Sequence, residues 1–247
     1  MASPPISSAD AAVPRTSSWP LRLALITLVA AILVIAAGPL TAAGAPWQLG
    51  LALFALGGLV AGVGALIVAV YALRKRGPSA LMGVAAVAGL IAFGVLALKI
   101  AEGRSVPRIH DITTDTRDPP PFQALLAERG ENVSPAAYDG EAVAAAQRTA
   151  YPDLTGVLLT EDPAAAFDKA LAATREMGWR IVLADAAAGR IEAVATVPWW
   201  GFKDDVVVRV RPDAGGSRVD VRSKSRVGEG DMGVNAERIR AYLAKLS

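Results

Sequence analysis

Cysteine is absent from all 247 residues, which excludes a disulfide framework, thiolate metal sites and cysteine nucleophiles. Histidine occurs once, at His110, which speaks against a His-rich metal site or a Ser-His-Asp triad. Charge is scarce as well. Only 19% of the residues are Asp, Glu, Lys or Arg, against about 25% in an ordinary soluble domain. The deficit is local, because no charged residue occurs between Leu23 and Leu73. Residues 1–104 carry seven basic and two acidic side chains, leaving 18 basic and 21 acidic on the other 143. The isoelectric point of about 9.0 therefore describes no single surface, and no nucleic-acid partner is expected.

What is present begins with apolar runs. A spanning helix needs about 20 apolar residues, so the uncharged stretch holds two, separated where breakers cluster from Gly38-Pro39 to Gly44-Ala45-Pro46. Three transmembrane helices are expected, at about 23–40, 49–73 and 79–98. The basic turn Arg74-Lys75-Arg76-Gly77-Pro78 divides the second from the third. Gly57-Gly58, Gly62, Gly64, Gly83, Gly89 and Gly94 favour close packing of these helices. No span carries a charge well inside it, so a transporter or channel has no residues to stand on.

The positive-inside rule places the 1–22 tail, with Arg15 and Arg22, and the basic turn in the cytoplasm. The C-terminal domain then lies outside a bacterial inner (plasma) membrane, in the periplasm. The small residues Thr41-Ala42-Ala43-Gly44 also resemble a signal-peptidase site; cleavage there would leave the domain on the same side.

The remaining chain divides into an extended linker, 101–138, broken by Pro119-Pro120-Pro121, and an extracytoplasmic α+β domain, 139–247. A short Ala-rich helix is expected at about 140–150. A second follows Asp162-Pro163, which has cap and first-turn chemistry, and ends at Gly178. Alternation then predicts strands at 179–184, 190–197, 204–211 and 218–225, and an apolar stripe predicts a helix at about 235–246. Setting Pro212 opposite Ser217 pairs Arg209 with Asp220 and Asp205 with Lys224 on one face. The other face then pairs Val210 with Val219 and Val208 with Val221. The expected fold is a four-stranded antiparallel meander with helices packed on its apolar face.

Four blocks carry a resemblance. They are Ile109-His110-Asp111-Ile112-Thr113-Thr114-Asp115, Tyr151-Pro152-Asp153, Phe202-Lys203-Asp204-Asp205 with the valine strand that follows, and Asp220–Gly228 continuing through Asp231, Gly233, Asn235 and Arg238-Ile239. In this order the chain resembles the bacterial and plastid domain-of-unknown-function-1499 family over about residues 105–247. The three-span front end is similar to its membrane-attached members. The resemblance implies a fold region and a location, but no reaction, cofactor or catalytic residue.

The richest constellation is the loop after the last strand, with Arg222, Ser223, Ser225, Arg226, Asp231, Asn235 and Arg238 as candidate binding residues. Glycine-freed N–H groups at a helix N-terminus beside arginines would suit a carboxylate or phosphate. In the structural alternative Asn235 caps the helix, Asp231 braces the loop and Arg226 pairs with an acid. Neighbouring strand residues point apart, so Asp204 and Asp205 cannot chelate one ion together. His110 with Asp111 and Asp115 would form a metal corner, but a lone imidazole in a linker reads as a surface hydrogen-bonding group. No metal and no cofactor are expected. Trp199-Trp200 reads either as a headgroup-level tip or as hairpin packing. Two functions follow. One is a binding or assembly domain displayed on a membrane anchor, with the lipid bilayer, another envelope protein or an anionic headgroup as partner. The other is an enzyme that works on an anionic envelope or lipid substrate through the 222–238 loop.

Overall fold

A computed structural model describes residues 18–75, 79–131 and 133–246. Arg15, the rest of the N-terminal tail before Ser18 and the Arg76-Gly77-Pro78 part of the basic turn lie outside the described residues. The chain forms two compact units, one built from residues up to Val34 with Leu53–Gly94, the other from Ile35–Ala52 with Val95–Ser247.

Three long helices carry the apolar runs: α1 (Trp19–Ala42), α2 (Trp47–Lys75) and α3 (Ala80–Ser105). All three are long and apolar enough to cross a membrane. In the first unit small residues set the helix spacing. A side chain at Gly89 would run into Ala61 and Ala65, and one at Gly62 would meet Phe93. Gly83 and Gly94 face open space instead. Helix α1 also runs through Gly38-Pro39, where a break is expected, and the connection narrows to residues 43–46. Proline removes one ladder bond near a helix end that has few to lose. The ladder resumes with Ala43 N–H donating to Pro39 O at 2.9 Å, while the Thr41 hydroxyl donates to Ala37 O at 2.9 Å.

The second unit holds an antiparallel sheet. Its strands are β1 (Asp111–Thr113), β2 (Val157–Leu159), β3 (Arg180–Asp185), β4 (Arg190–Thr196), β5 (Lys203–Asp213) and β6 (Gly216–Ser225). The order is β1-β6-β5-β4-β3, with β2 also paired to β6. The β3–β6 meander has the expected register at its last hairpin, including Arg209 opposite Asp220 and Pro212 opposite Ser217.

The sheet has six strands, not four. β1 pairs with residues 222–224 and β2 with 217–219, both along the outer side of β6. Without them β6 would present a row of unpaired N–H and C=O groups. Three-residue strands are too short to show a period, which is why sequence reading misses them.

Helices α4 (Glu141–Ala150), α5 (Pro163–Glu176) and α6 (Val234–Leu243) complete the unit. Asp162 caps α5, accepting from Ala164 N–H at 2.9 Å and Ala165 N–H at 3.1 Å. Helices α5 and α6 bury Phe167, Ala170, Ile239 and Tyr242 against Val206, Val208, Val210, Val219 and Val221. Tyr242 stacks on Trp179 at 5.2 Å, and its hydroxyl donates to Ala170 O at 2.8 Å.

The opposite face of the sheet is not open to water. The segment read as a linker contributes β1 and a 3₁₀ turn at Ala124–Glu128. Phe122 and Leu125 from this segment pack on Val194 and Val207. Arg222, Lys224, Asp205 and Asp220 beneath it are each at most 1% exposed.

Candidate functional site

Strand β6 sorts the candidate residues by its two-residue period. Ser223 and Ser225 project toward α6, whereas Arg222 and Lys224 project toward the covered charged face. The seven candidates therefore form two groups on opposite faces of one sheet, not one pocket.

On the helix side Asn235 is the hub. It is fully buried. Its Oδ1 accepts from the Ser223 hydroxyl at 2.6 Å and from Arg238, and its Nδ2 donates to Ser225 Oγ at 2.9 Å and His110 O at 3.1 Å. Arg238 also donates to Ser223 Oγ at 3.1 Å and to Asp204 Oδ2 at 2.6 Å.

Asn235 does not cap α6, contrary to the structural alternative read from the sequence. Gly233 stands at the N-cap with φ 82°, and Asp231 supplies the capping acceptor. Its two carboxylate oxygens take Gly233 N–H and Asn235 N–H, both at 2.8 Å. Asn235 lies one residue inside the helix, so its amide faces the serines of β6. Burial pushes the Asp231 carboxyl above the usual carboxylate range. The two N–H donors pull it back, and the Asp204 charge adds to the rise.

On the charged face Arg222 makes a forked pair with Asp111, Nε at 2.8 Å and Nη2 at 2.9 Å. It donates further to Pro120 O and Ala136 O and lies over the rings of Phe122 and Tyr138. Lys224 bridges Asp111 at 3.2 Å and Asp139, and the Asp139 carboxylate also meets His110 Nε2 at 3.2 Å. Arg226 contacts Asp205 through Nε at 2.9 Å and Nη2 at 2.7 Å, and Arg129 holds the other oxygen of that carboxylate. A third cluster gathers Arg209, Arg211 and Arg218 around the buried Asp220, with Asp115 bound to the first two.

The acidic partners divide as strand geometry requires. Asp204 meets Arg238, and Asp205 meets Arg129 and Arg226 on the other face. His110, Asp111 and Asp115 each have a different partner. Among the described residues no cluster of His, Asp and Glu could hold a metal ion. Lys224 has Asp205 opposite it on β5 and Asp111 opposite it on β1, and its ion pairs go to Asp111 and Asp139.

Sequence reasoning missed Asp139, Arg129 and Glu192 altogether. Glu192 is fully buried and accepts from the N–H groups of Gln123 and Leu125, both at 2.9 Å. The one available signal was an acid in the middle of the otherwise apolar strand Ile191–Ala195. Asp139 and Arg129 sit in irregular chain with no period to mark them.

Burial also leaves His110 Nδ1, Tyr138 OH and Tyr151 OH without a hydrogen-bond partner. The Tyr138 phenol is pushed up to about 12, by burial first and by the Asp111 charge second. This chemistry ties chain segments together: every guanidinium of the candidate set already holds a carboxylate or an amide oxygen.

No curated protein matches the chain. The family model described as Protein of unknown function (DUF1499) matches residues 111–246. That match starts at the carboxylate that binds Arg222 and Lys224 and takes in β1 to β6 and α4 to α6. It covers more than half of the 247 residues, and the chain belongs to this family.

Proposed function

We propose that the chain is a multi-pass inner-membrane protein that displays its sheet domain outside the cytoplasm as a rigid platform for binding or assembly. The observation that carries this reading is the saturation of the arginines. Arg222, Arg226 and Arg238 would have to give up Asp111, Asp205 and Asp204 before they could receive an anionic substrate. Buried pairs of this kind are costly to open, because each ion left behind is unpaired and desolvated. The partners proposed for the platform are the bilayer itself and another envelope protein. Three long apolar helices support the membrane part.

Location is tested by reporter fusions. A reporter active only outside the cytoplasm is expected to be active when fused after Ser247 and silent when fused after Arg76; the reverse pattern overturns the orientation. The platform reading is tested separately by thermal melts of the full chain in detergent. Phosphate and soluble headgroup analogues are expected to leave the melting temperature of the sheet domain unchanged. A concentration-dependent rise in the parent protein that is lost in Arg226→Ala would establish an anion site and sink this account.

A further inference from the structure

Two non-glycine residues among the described ones have a positive φ: Trp199 at 67° and Met232 at 56°. Such backbone is strained for large side chains and is retained where the surroundings require it. The two residues are far apart in sequence but share one end of the sheet. Trp199 lies in the turn between β4 and β5, and Met232 lies in the loop from β6 to α6. Pairing of Asp204 with Ser225 brings the start of β5 beside the end of β6.

This end is also the apolar one. Among the described residues outside the long helices, the exposed large apolar side chains are Leu126, Leu158, Trp199, Met232 and Val234. Three of the five, at 42%, 43% and 37% exposure, belong to these two corners. Trp200 stands edge-on to Trp199 at 4.7 Å and stacks on Phe202 at 5.4 Å, so the turn is a stiff aromatic block.

Within this second unit both corners meet the ends of long helices. The Trp199 indole fills the space beside Gly38, and Gly201 comes against Ala42 at the end of α1. Met232 lies beside Gly103 in the last turns of α3. Gly38 is four residues short of the α1 end, so the indole stands about 6 Å inside that end. At 24 residues α1 is about 36 Å long, more than the roughly 30 Å hydrocarbon core. With α1 centred across the bilayer, the indole would fall at the level where headgroups give way to acyl chains. Arg104, in the last turn of α3, and Lys203, beside the aromatic block, are exposed at this end, and so are Glu102 and Glu229.

We propose that the Trp199-Trp200 turn and the Met232–Val234 corner form an interfacial anchor, seated in the headgroup–acyl boundary of the bilayer. It holds the sheet domain against the membrane surface. Tryptophan is enriched at this depth because its ring is apolar while its N–H remains in the wet layer. The proposal rests on the reading of α1, α2 and α3 as membrane spans.

Full-length protein in bilayers of phosphatidylcholine and phosphatidylglycerol tests it through quenching by brominated lipids. The five tryptophans are Trp19, Trp47, Trp179, Trp199 and Trp200. A chain with Trp19→Phe and Trp47→Phe keeps the turn plus Trp179 in the sheet-domain core. A second chain adds Trp199→Asn and Trp200→Phe, asparagine being the side chain that best tolerates positive φ. The emission difference between them is that of the turn. It is expected to fall when bromine sits close to the glycerol backbone, and to fall less when bromine sits near the bilayer centre. Adding Val29→Trp, mid-way along α1, to the second chain supplies the span control, which is expected to respond in the opposite order. Quenching of the control without quenching of the turn overturns the anchor alone. Absence of both overturns the spans and the anchor together.

Discussion

Replacing Asp111 by alanine is expected to destabilise the sheet domain by about 3–5 kcal/mol, the usual cost of removing one partner from a buried ion pair. Asp111 is fully buried and holds two cations at once, the Arg222 fork and Lys224. Both cations are at most 1% exposed, so neither can turn to water when the carboxylate is removed. Asp139 would retain Lys224, and carbonyl oxygens would retain part of Arg222, which places the loss within that range and not above it. Amide exchange in the full chain reads the effect most directly, because opening of β1 and β6 should rise together. The combined change Asp111→Leu, Arg222→Met and Lys224→Met is expected to recover part of the stability, since an apolar set of similar volume needs no desolvation of ions, although Asp139 and the carbonyls of Pro120, Ala136 and Ala137 lose their donors. If Asp111→Ala exchanges like the parent, the network contributes little and the platform is held by its apolar face alone.

The second large effect is expected at Asn235. Changing it to alanine leaves Ser223, Ser225 and Arg238 each short of a partner, at about 1–3 kcal/mol for a buried group left unsatisfied, while His110 O keeps the Ser225 N–H at 3.0 Å. Removing the cap instead, with Asp231→Ala, is expected to cost about 0.5–2 kcal/mol. Part of that is returned at neutral pH, because the Asp231 carboxyl titrates above its usual range. The sign follows from linkage. A carboxyl that holds its proton more tightly when folded favours the native state at low pH, and that advantage is lost as pH climbs through the raised value. Stability melts of the two variants should therefore rank Asn235→Ala as the more damaging, and the penalty for Asp231→Ala should shrink as pH rises. An equal ranking would return Asn235 to the role of a simple cap.

That inversion of roles shows where sequence reasoning stops. An Asn at the start of a predicted helix, after a glycine loop, has the composition of a cap, and residue type alone cannot distinguish Asn235 from Asp231 as the acceptor. A shift of one or two positions in the helix start turns the Asn side chain from its own backbone toward β6. Trp199-Trp200 could likewise be read as tip or packing, and its positive φ and its place beside Gly38 are tertiary facts.

What this sequence determines by itself is whatever repeats locally. The long absence of charge specifies α1 and α2, because apolar length is a property of contiguous residues. Alternation of valine with charge specifies the β5–β6 register, since a slip of one residue would carry every side chain to the other face. Asp162-Pro163 specifies the start of α5 because the cap acceptor and the helix it serves are two residues apart. The tertiary structure alone decided that the charged face is buried. The carboxylates that hold Arg222 and Lys224 come from Asp111, 111 residues before Arg222, and from Asp139, 85 residues before Lys224. Both lie in or beside a proline-broken segment whose course follows no period. A strand's pattern states which side chains share a face; what lies over that face depends on where remote chain comes to rest. Here it rests on the arginines and converts an apparent anion site into the braced interior of the domain.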